Sequence, residues 1–279
     1  MEIWSGLISW LLPFSWAQHT FMQNALLAVL LVTPLFGMMG TMVVNNHMAF
    51  FSDTIGHSAL TGIALGVILG LQNPLGAMTA FAVFMAFAVC NVKEMTRTST
   101  DTVIGVFASA AVALGVVILS RGGGFSKYSS FLIGDLLSIT PVEIGLVILV
   151  TVAFLVFWFI GFNRLMLVSV HPSLARSRGI NVRFVEISFA ICLAVIVTVC
   201  IQWVGILIIN SLLVLPAAAA RNMAVNMRTY NLISVLIAVV CGIAGLILSY
   251  YWDTATGATI VLLMALCYIG TIVQKRIWG

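Results

Sequence analysis

The chain has 279 residues, of which 62% are hydrophobic and only 7% are charged, and its mean hydropathy is +1.18. Soluble domains carry about 25% charged residues, so this composition excludes an ordinary water-soluble domain and indicates an integral membrane protein in contact with the lipid bilayer. The formal net charge is +4, but no basic run is interleaved with aromatic residues, so we expect no nucleic-acid partner.

Residues 1–20 precede the first long apolar stretch. They contain Trp4, Trp10 and Trp16, no Lys or Arg, and Glu2 as their one acidic residue. Tryptophan favours the membrane–water interface, and a cleaved signal peptide would begin with basic residues. We therefore predict an interfacial N-terminal segment over 1–20, without a cleaved signal peptide, and a single transmembrane domain over 21–279.

The apolar runs predict an all-α integral membrane protein, a polytopic bundle of eight to nine transmembrane helices. A spanning helix needs roughly 20 mostly apolar residues. Short turns near Asn73-Pro74 and Gln202-Trp203 predict antiparallel hairpins, and the division at the second turn leaves eight spans open. The predicted spans are 21–44, 54–71, 74–92, 102–120, 142–162, 184–200, 203–220, 231–250 and 257–274.

The basic residues predict the orientation of these spans. With nine spans, ten of the 12 lysines and arginines fall in loops on one side, and only Arg121 and Lys127 fall on the other. Cytoplasmic loops carry an excess of basic residues, so we expect the C-terminus in the cytoplasm and the N-terminus outside. The ten are Lys93, Arg97, Arg164, Arg176, Arg178, Arg183, Arg221, Arg228, Lys275 and Arg276.

Asp53 and His57 are the most informative pair in the chain. They stand four residues apart, and from Thr54 to Val92 the sequence contains no Asp, Glu, Lys or Arg. This spacing places both side chains on one face of a helix, and ionisable groups inside a membrane are costly enough to indicate a functional site. A carboxylate and an imidazole suit a divalent ion such as Zn²⁺ or Mn²⁺.

Two other interpretations of the pair stay open. Asp53 is well placed to cap a helix, with His57 in a local hydrogen bond. Alternatively, the two side chains form a proton relay in an ion- or proton-coupled secondary carrier. His47, six residues before Asp53, is a candidate further ligand. Two side chains cannot complete a tetrahedral zinc shell, so backbone carbonyls, water or other helices would have to contribute.

Pro216 is followed by four alanines and a basic segment. Proline is expected to kink or end the preceding apolar helix, and alanines permit close helix approach. Residues 217–229 then predict a short amphipathic helix at the cytoplasmic face, with Met223, Val225 and Met227 available to a partner groove. An ordinary helix end with basic anchors is the alternative.

The sequence contains no catalytic or nucleotide-binding motif that we recognise. Gly122-Gly123-Gly124 near Lys127 lacks the G-x-x-x-x-G-K-[ST] pattern of a phosphate loop, and neither H-E-x-x-H nor G-x-S-x-G occurs. We therefore expect that the chain is not an enzyme and that another chain supplies any ATPase. The five cysteines form no C-x-x-C pair and predict buried free thiols.

Two acidic residues that precede predicted spans have two interpretations. Asp101 and Asp253 each precede a span, and we expect them to cap the helix that follows, although either could line an entry path for cations. Asp135 and Glu143 fall in outer loops, where we expect ordinary solvated charges.

Several sequence blocks occur in a fixed order along the chain. They are Met48–Leu60, Asp101–Gly105, Phe131–Leu137, His171–Ala175, Gly179–Asn181, Leu212–Arg221 and Asp253–Gly257. Together they resemble the membrane permease subunits of bacterial ABC importers for zinc and manganese (the ZnuB/MntB type), over nearly the whole chain. Asp53 and His57 match the family's early Asp-x-x-x-His signature, whereas Ala219 and Ala255 stand where Thr and Pro are usual.

The resemblance implies the fold of type II ABC importer permeases and the import of a divalent transition metal by alternating access. Zinc is the expected ion and manganese the next. The implied partners are a second copy of the chain in a homodimer, two cytoplasmic ATP-binding subunits, and an extracytoplasmic metal-binding protein. The transported Zn²⁺ or Mn²⁺ would bind Asp53 and His57, without a permanent cofactor, in the bacterial inner (plasma) membrane.

The resemblance also implies that a segment of about 217–230 couples the permease to its ATP-binding subunit. The residues assigned to this contact are Pro216, Ala217, Ala220, Arg221, Met223, Met227 and Arg228.

Overall fold

The computed structural model of the chain describes residues 18–71, 73–96, 98–122 and 130–278. Most of the predicted interfacial segment 1–20 lies outside these residues, as do Arg97 and Lys127. The elements, in chain order, are α1 (Thr20–Asn45), α2 (Ala49–Ile68), α3 (Leu75–Met95), α4 (Thr100–Gly122), α5 (Ser130–Ile133), a 3₁₀ turn (Leu136–Ser138), α6 (Pro141–Val170), α7 (Pro172–Ser177), α8 (Val182–Val204), α9 (Ile206–Met223), α10 (Met227–Trp252) and α11 (Thr256–Trp278).

The all-α fold is confirmed, and each predicted span overlaps one long helix. The division between α8 and α9 lies at Gly205 rather than at Gln202-Trp203, and Gly205 is the one residue between the two helices. Gly205 has a φ of 87°, which favours glycine because it has no Cβ. The sequence patterns therefore predicted the division between these two helices but placed it a few residues early.

Within the described residues, seven helices are long and apolar enough to cross a membrane: α1, α3, α4, α6, α8, α10 and α11. α2 falls outside this set because Asp53, His57 and several hydroxyl side chains lower its hydropathy. α9 also contains an apolar helical stretch, Ile208–Met223, which is shorter than these seven. α2 carries the predicted metal pair, and α9 carries five of the seven predicted coupling residues.

The chain divides into two compact units. One comprises Met42–Ile133 and Phe154–Gln202, and we call it the pair unit because it contains Asp53 and His57. The other comprises Met1–Thr41, Gly134–Ala153 and Trp203–Gly279, and we call it the C-terminal unit.

In the pair unit, α2 packs against both α3 and α4 at very close range. A Cβ added to Gly62 would lie 2.5 Å from the Cα atom of Met78 in α3. A Cβ added to Gly115 in α4 would lie 2.8 Å from the hydroxyl oxygen of Thr61. Glycines at these positions let the helix backbones approach closely, which is a main source of packing energy between helices in a bilayer.

Buried hydroxyl groups of α2 reinforce its contact with α4. Thr61 donates a hydrogen bond to the carbonyl oxygen of Ala111. Thr54 donates to the carbonyl oxygen of Phe50 at 3.0 Å and lies 3.4 Å from that of Ile104. Hydroxyls bonded in this way are satisfied within the protein, so α2 can carry polar side chains without exposing them to lipid.

In the C-terminal unit, α1 approaches α9 and α10 through two further glycines. A Cβ on Gly40 would lie 2.0 Å from the carbonyl oxygen of Leu213, and a Cβ on Gly37 would lie 2.8 Å from the Cα atom of Val235. The hydroxyl of Ser234 donates to the carbonyl oxygen of Gly37 at 2.7 Å. These close approaches leave little room for any larger residue on this face of α1.

Pro216 was expected to kink or end its helix, and it does not end it. α9 continues through Pro216 to Met223, and Ala217, Ala219 and Ala220 are fully buried. Membrane helices tolerate an internal proline because neighbouring groups satisfy the carbonyl that loses its partner. The expected close approach at the alanines is confirmed, since a Cβ on Gly40 would lie 3.2 Å from that of Ala217.

The sequence predicted a separate amphipathic helix over 217–229, and this prediction is wrong. It comprises the end of α9, a connection of Ala224 to Asn226, and the start of α10. The side chain of Asn226 accepts a hydrogen bond from the backbone N–H of Thr229 at 2.8 Å and so caps α10. Because α9 extends past Pro216 and Asn226 fixes the next start, only three residues remain between the helices.

Replacing Gly62 by alanine is expected to destabilise the protein, because the new methyl group would meet the backbone of α3. Overpacking of this kind costs about 1–3 kcal/mol, and each kcal/mol lowers the Tm by roughly 2–4 °C in chains of about this size. The Tm is measured in detergent by the loss of the monodisperse peak on heating. Gly105→Ala is the matched control, since a Cβ at Gly105 meets no atom within 4 Å. Equal Tm values for both variants would contradict this packing.

Candidate functional site

Asp53 lies inside a helix rather than at its start. α2 begins at Ala49, its N-cap is Met48, and no side chain provides a capping hydrogen bond there. In the turn before α2, the N–H of Met48 donates a hydrogen bond to the carbonyl oxygen of Val43 at 2.9 Å. α2 therefore begins at Ala49, earlier than the apolar run from Thr54 predicts. The interpretation of Asp53 as an N-cap is therefore wrong.

Asp53 and His57 lie on the accessible side of an otherwise buried helix. Between Phe51 and Gly66, every residue is buried except Asp53, His57 and Leu65. Intervals of four and eight residues place these three on one side of α2, and we call them the open stripe. The His57 and Asp53 side chains are 27% and 38% exposed, so both are partly shielded yet reachable.

The two donor atoms of the pair are spaced like ligands of a single metal ion. His57 Nε2 lies 3.5 Å from Asp53 Oδ2. Nitrogen and oxygen ligands of tetrahedral zinc lie about 2.0–2.2 Å from the metal, which places neighbouring ligands roughly 3.3–3.5 Å apart. The same distance also permits an ion pair when His57 is protonated. The arrangement can therefore hold either a proton or a divalent cation between its two side chains.

His47 is exposed in the turn between α1 and α2, where its φ is 54°. Within the residues that the structure describes, no group of three or more His, Cys, Asp or Glu side chains is arranged to hold a metal ion. The structure thus brings Asp53 and His57 together, and in the part of the chain that it describes no third side chain of these types joins them. A role for His47 as a ligand stays a prediction.

Ion pairs join the ends of α3 and α8 in the pair unit. Lys93 Nζ lies 3.6 Å from Glu186 Oε2, and Arg183 Nε lies 3.1 Å from Glu94 Oε2. These pairs place the loop after α3 and the loop before α8 at the same end of this unit. The sequence analysis counted the basic residues of both loops but did not predict their acidic partners. Glu94 at the end of α3 and Glu186 near the start of α8 could have indicated these ion pairs.

A similar contact occurs in the C-terminal unit. The amide of Asn222, at the end of α9, donates a hydrogen bond to the hydroxyl of Thr271 in the last turns of α11 at 3.1 Å. Arg221 and Lys275 lie close to these residues in sequence, so the basic ends of α9 and α11 occupy the same end of this unit.

The predicted coupling residues divide by burial. Pro216, Ala217 and Ala220 are buried within α9, and Val225, between α9 and α10, is 94% exposed. The remaining predicted residues are accessible to different degrees: Arg221, Met223 and Arg228 are exposed, and Met227 is partly buried. The surface available to a partner is thus the short connection and the adjoining helix ends, which we call the α9–α10 tip (221–228).

The two predicted caps at Asp101 and Asp253 are wrong. Ser99 precedes α4 and accepts a hydrogen bond from the N–H of Thr102 at 3.3 Å, so Asp101 lies in the first turn of the helix. Asp253 ends α10 with a left-handed φ of 52°, and α11 begins only at Thr256. Aspartate adopts this conformation more readily than most residues. Asp253 is therefore the C-cap of α10 and not the N-cap of α11.

The fold and the candidate site define a multi-pass helical membrane protein with an accessible carboxylate–imidazole pair on a buried helix. The family described as the ABC 3 transport family matches residues 18–275, and the chain belongs to this family.

Individual relatives agree with this assignment. The chain is 31% identical to the high-affinity zinc uptake system membrane protein ZnuB of Haemophilus influenzae, over 90% of this chain and 97% of that protein. It is 30% identical to the manganese import system permease protein ScaB of Streptococcus gordonii, over 89% of each. The solved structure of PsaBC from Streptococcus pneumoniae in complex with Fab is similar with a TM-score of 0.80 and 26% identity, covering 91% of both chains.

Single cysteines should reveal whether the open stripe meets water. In a background without the five native cysteines, we expect His57→Cys and Leu65→Cys to react with a membrane-impermeant thiol reagent, because both positions are accessible. Ala59→Cys and Ile63→Cys are the matched controls, since both residues are fully buried in the same helix. Labelling is measured by the mass shift of the chain, and equal labelling of the two sets would contradict the stripe.

Proposed function

We propose that the chain is the membrane permease of an ABC importer that moves a divalent transition-metal ion into the bacterial cytoplasm by alternating access. The observation that carries the proposal is the separation of Asp53 Oδ2 and His57 Nε2, which suits two ligands of one ion on the accessible side of a buried helix. The relatives named for zinc uptake and manganese import support it.

Zinc is the proposed ion and manganese the second candidate. Imidazole suits zinc and carboxylate suits manganese, so the donor pair alone fits both. The spacing of the two donor atoms matches the short bonds of a tetrahedral zinc site. The secondary-carrier alternative has no supporting observation beyond the presence of two ionisable groups.

The metal site needs ligands beyond this pair. A homodimer contains two copies of Asp53 and His57, and two open stripes facing one ion would supply the four donors of a tetrahedral site. A transport site also has to release its ion, so a shell that is complete in only one conformation suits alternating access. We therefore include a homodimer in the proposal.

The permease works with other chains in this proposal. Two cytoplasmic ATP-binding subunits supply ATP hydrolysis, since the sequence has no nucleotide motif that we recognise, and an extracytoplasmic binding protein delivers the metal. The α9–α10 tip is the proposed contact with the ATP-binding subunit, because Met223 and Val225 expose apolar side chains there beside Arg221 and Arg228.

The proposed orientation places the C-terminus in the cytoplasm of an inner-membrane protein. Basic residues concentrate at the shared ends of α3 and α8 in one unit and of α9 and α11 in the other. An excess of lysine and arginine is characteristic of cytoplasmic loops, and this supports a cytoplasmic C-terminus, which follows the basic end of α11.

Removing either member of the pair should abolish metal uptake. We expect Asp53→Ala and His57→Ala to lower radioactive zinc uptake about 10–100-fold or more, because the loss of metal-site residues has effects of at least this size. Uptake is measured in cells that express the permease with its ATP-binding subunit and binding protein.

His171→Ala is the matched control for this experiment. It removes an exposed imidazole at the N-cap of α7 and should leave uptake unchanged. Membrane levels of all variants are compared by immunoblot. Normal uptake by both pair variants would overturn the metal site, and a larger defect for manganese than for zinc would reverse the choice of ion.

A charge at the α9–α10 tip should uncouple the permease from its ATP-binding subunit. We expect Val225→Glu to lower co-purification of the two chains and transport-linked ATP hydrolysis by about tenfold or more, as for the loss of a central apolar interface contact. Val142→Glu is the control, because Val142 is 84% exposed but lies at the start of α6. Intact association of the Val225 variant would exclude the tip from the interface.

A further inference from the structure

A groove in the pair unit lies between α6 and α8, apart from the metal pair. It has a volume of about 220 Å³. Its lining residues are Phe157, Ile160, Gly161, Arg164, Leu165, Phe184, Val185 and Ser188. Pockets for drug-sized molecules usually measure about 300–1,000 Å³, so this groove suits one slender apolar chain better than a compact ligand.

The groove has an apolar end and a cationic end. Phe157, Ile160, Gly161 and Arg164 stand at intervals of three and four residues and therefore form one stripe along α6. This stripe is about 10 Å long, at 1.5 Å per residue. Arg164 lies at its C-terminal end, about six residues before α6 ends at Val170, and Phe157 lies towards the apolar middle of the helix.

Arg164 is a cation without an acidic partner. Among the residues that the structure describes, no carboxylate pairs with it, whereas Lys93 and Arg183 in the same unit are each paired with a glutamate. Its guanidinium group thus keeps its capacity for a bidentate contact with a phosphate. An unpaired arginine at one end of an apolar groove is complementary to a phospholipid. The guanidinium group would contact the anionic phosphate at the membrane interface, and the groove would hold an apolar acyl chain.

The outer rim of the groove is strongly apolar. The side chains of Ile160 and Phe184 are 77% and 68% exposed, on helices apolar enough to cross a membrane. Such residues favour contact with acyl chains over contact with water. Basic pockets between transmembrane helices are known to bind the headgroups of anionic lipids.

We propose that this groove binds an anionic phospholipid, with the phosphate on Arg164 and one acyl chain against Phe157, Ile160 and Phe184. A lipid held there contacts α6 and α8 together, and it supplies the negative charge that the described residues do not place beside Arg164. The inference concerns a lipid site and does not rest on the identity of the transported ion.

Native mass spectrometry of the permease bound to its ATP-binding subunit tests the proposal. The complex is titrated with phosphatidylglycerol or with phosphatidylethanolamine in detergent. We expect the wild type to prefer phosphatidylglycerol and Arg164→Gln to lower that preference about fivefold, the effect of one basic residue near a membrane surface. Arg176→Gln is the matched control, since Arg176 is exposed on α7 outside the groove, and it should not alter the preference.

Two further variants test where the lipid binds and whether a protein occupies the groove instead. Gly161→Leu should reduce the binding of both lipids by filling the groove, because a Cβ at Gly161 meets only Leu165 Cδ1, at 3.6 Å. A photoreactive phenylalanine analogue at Phe184 should form a lipid adduct in the assembled complex. The proposal is overturned by equal binding of the two lipids to the wild type, by equal effects of the Arg164 and Arg176 variants, or by a protein adduct at Phe184.

Discussion

The packing of α2 against both α3 and α4 is the constraint on which the candidate site depends. Gly62 and Gly115 allow backbones to approach so closely that no larger residue fits, and Thr61 bonds directly to the backbone of α4. Because two neighbours cover most of the helix, only one side stays accessible, and Asp53 and His57 occupy it. Rigid flanks of this kind hold two donor atoms at a fixed separation, which a metal site requires.

The same packing explains how a membrane protein accommodates a polar helix. α2 is not apolar enough to rank among the seven candidate spans, so lipid alone would stabilise it poorly. Its buried hydroxyls bond to carbonyl oxygens within the protein, and its ionisable pair, Asp53 and His57, lies on the accessible side. Neighbouring helices thus reduce the free-energy cost of placing the polar groups of α2 in a membrane. The same segment provides both the close packing and the candidate site.

Much of the architecture could be predicted from the sequence because apolar runs of about 20 residues are a direct consequence of bilayer thickness. The helix ends were less predictable. Pro216 suggested a break, but packing keeps α9 intact, and Asp53 suggested a cap, but a turn at His47 starts α2 earlier. These errors share a cause, since local preferences of single residues compete with contacts made by segments distant in sequence. The pair itself was predictable because i, i+4 spacing is a local property.

The connection between α9 and α10 has a mechanical consequence. Only Ala224, Val225 and Asn226 separate the two helices, and Asn226 is fixed by its cap on Thr229. A linker this short has no slack, so a force applied at Val225 cannot be absorbed by loop rearrangement. It must displace α9 and α10 as stiff rods, and because Gly40 meets α9 at backbone distance, α1 has to move with them. A partner that pushed on the tip would therefore move both helices together rather than the connection alone.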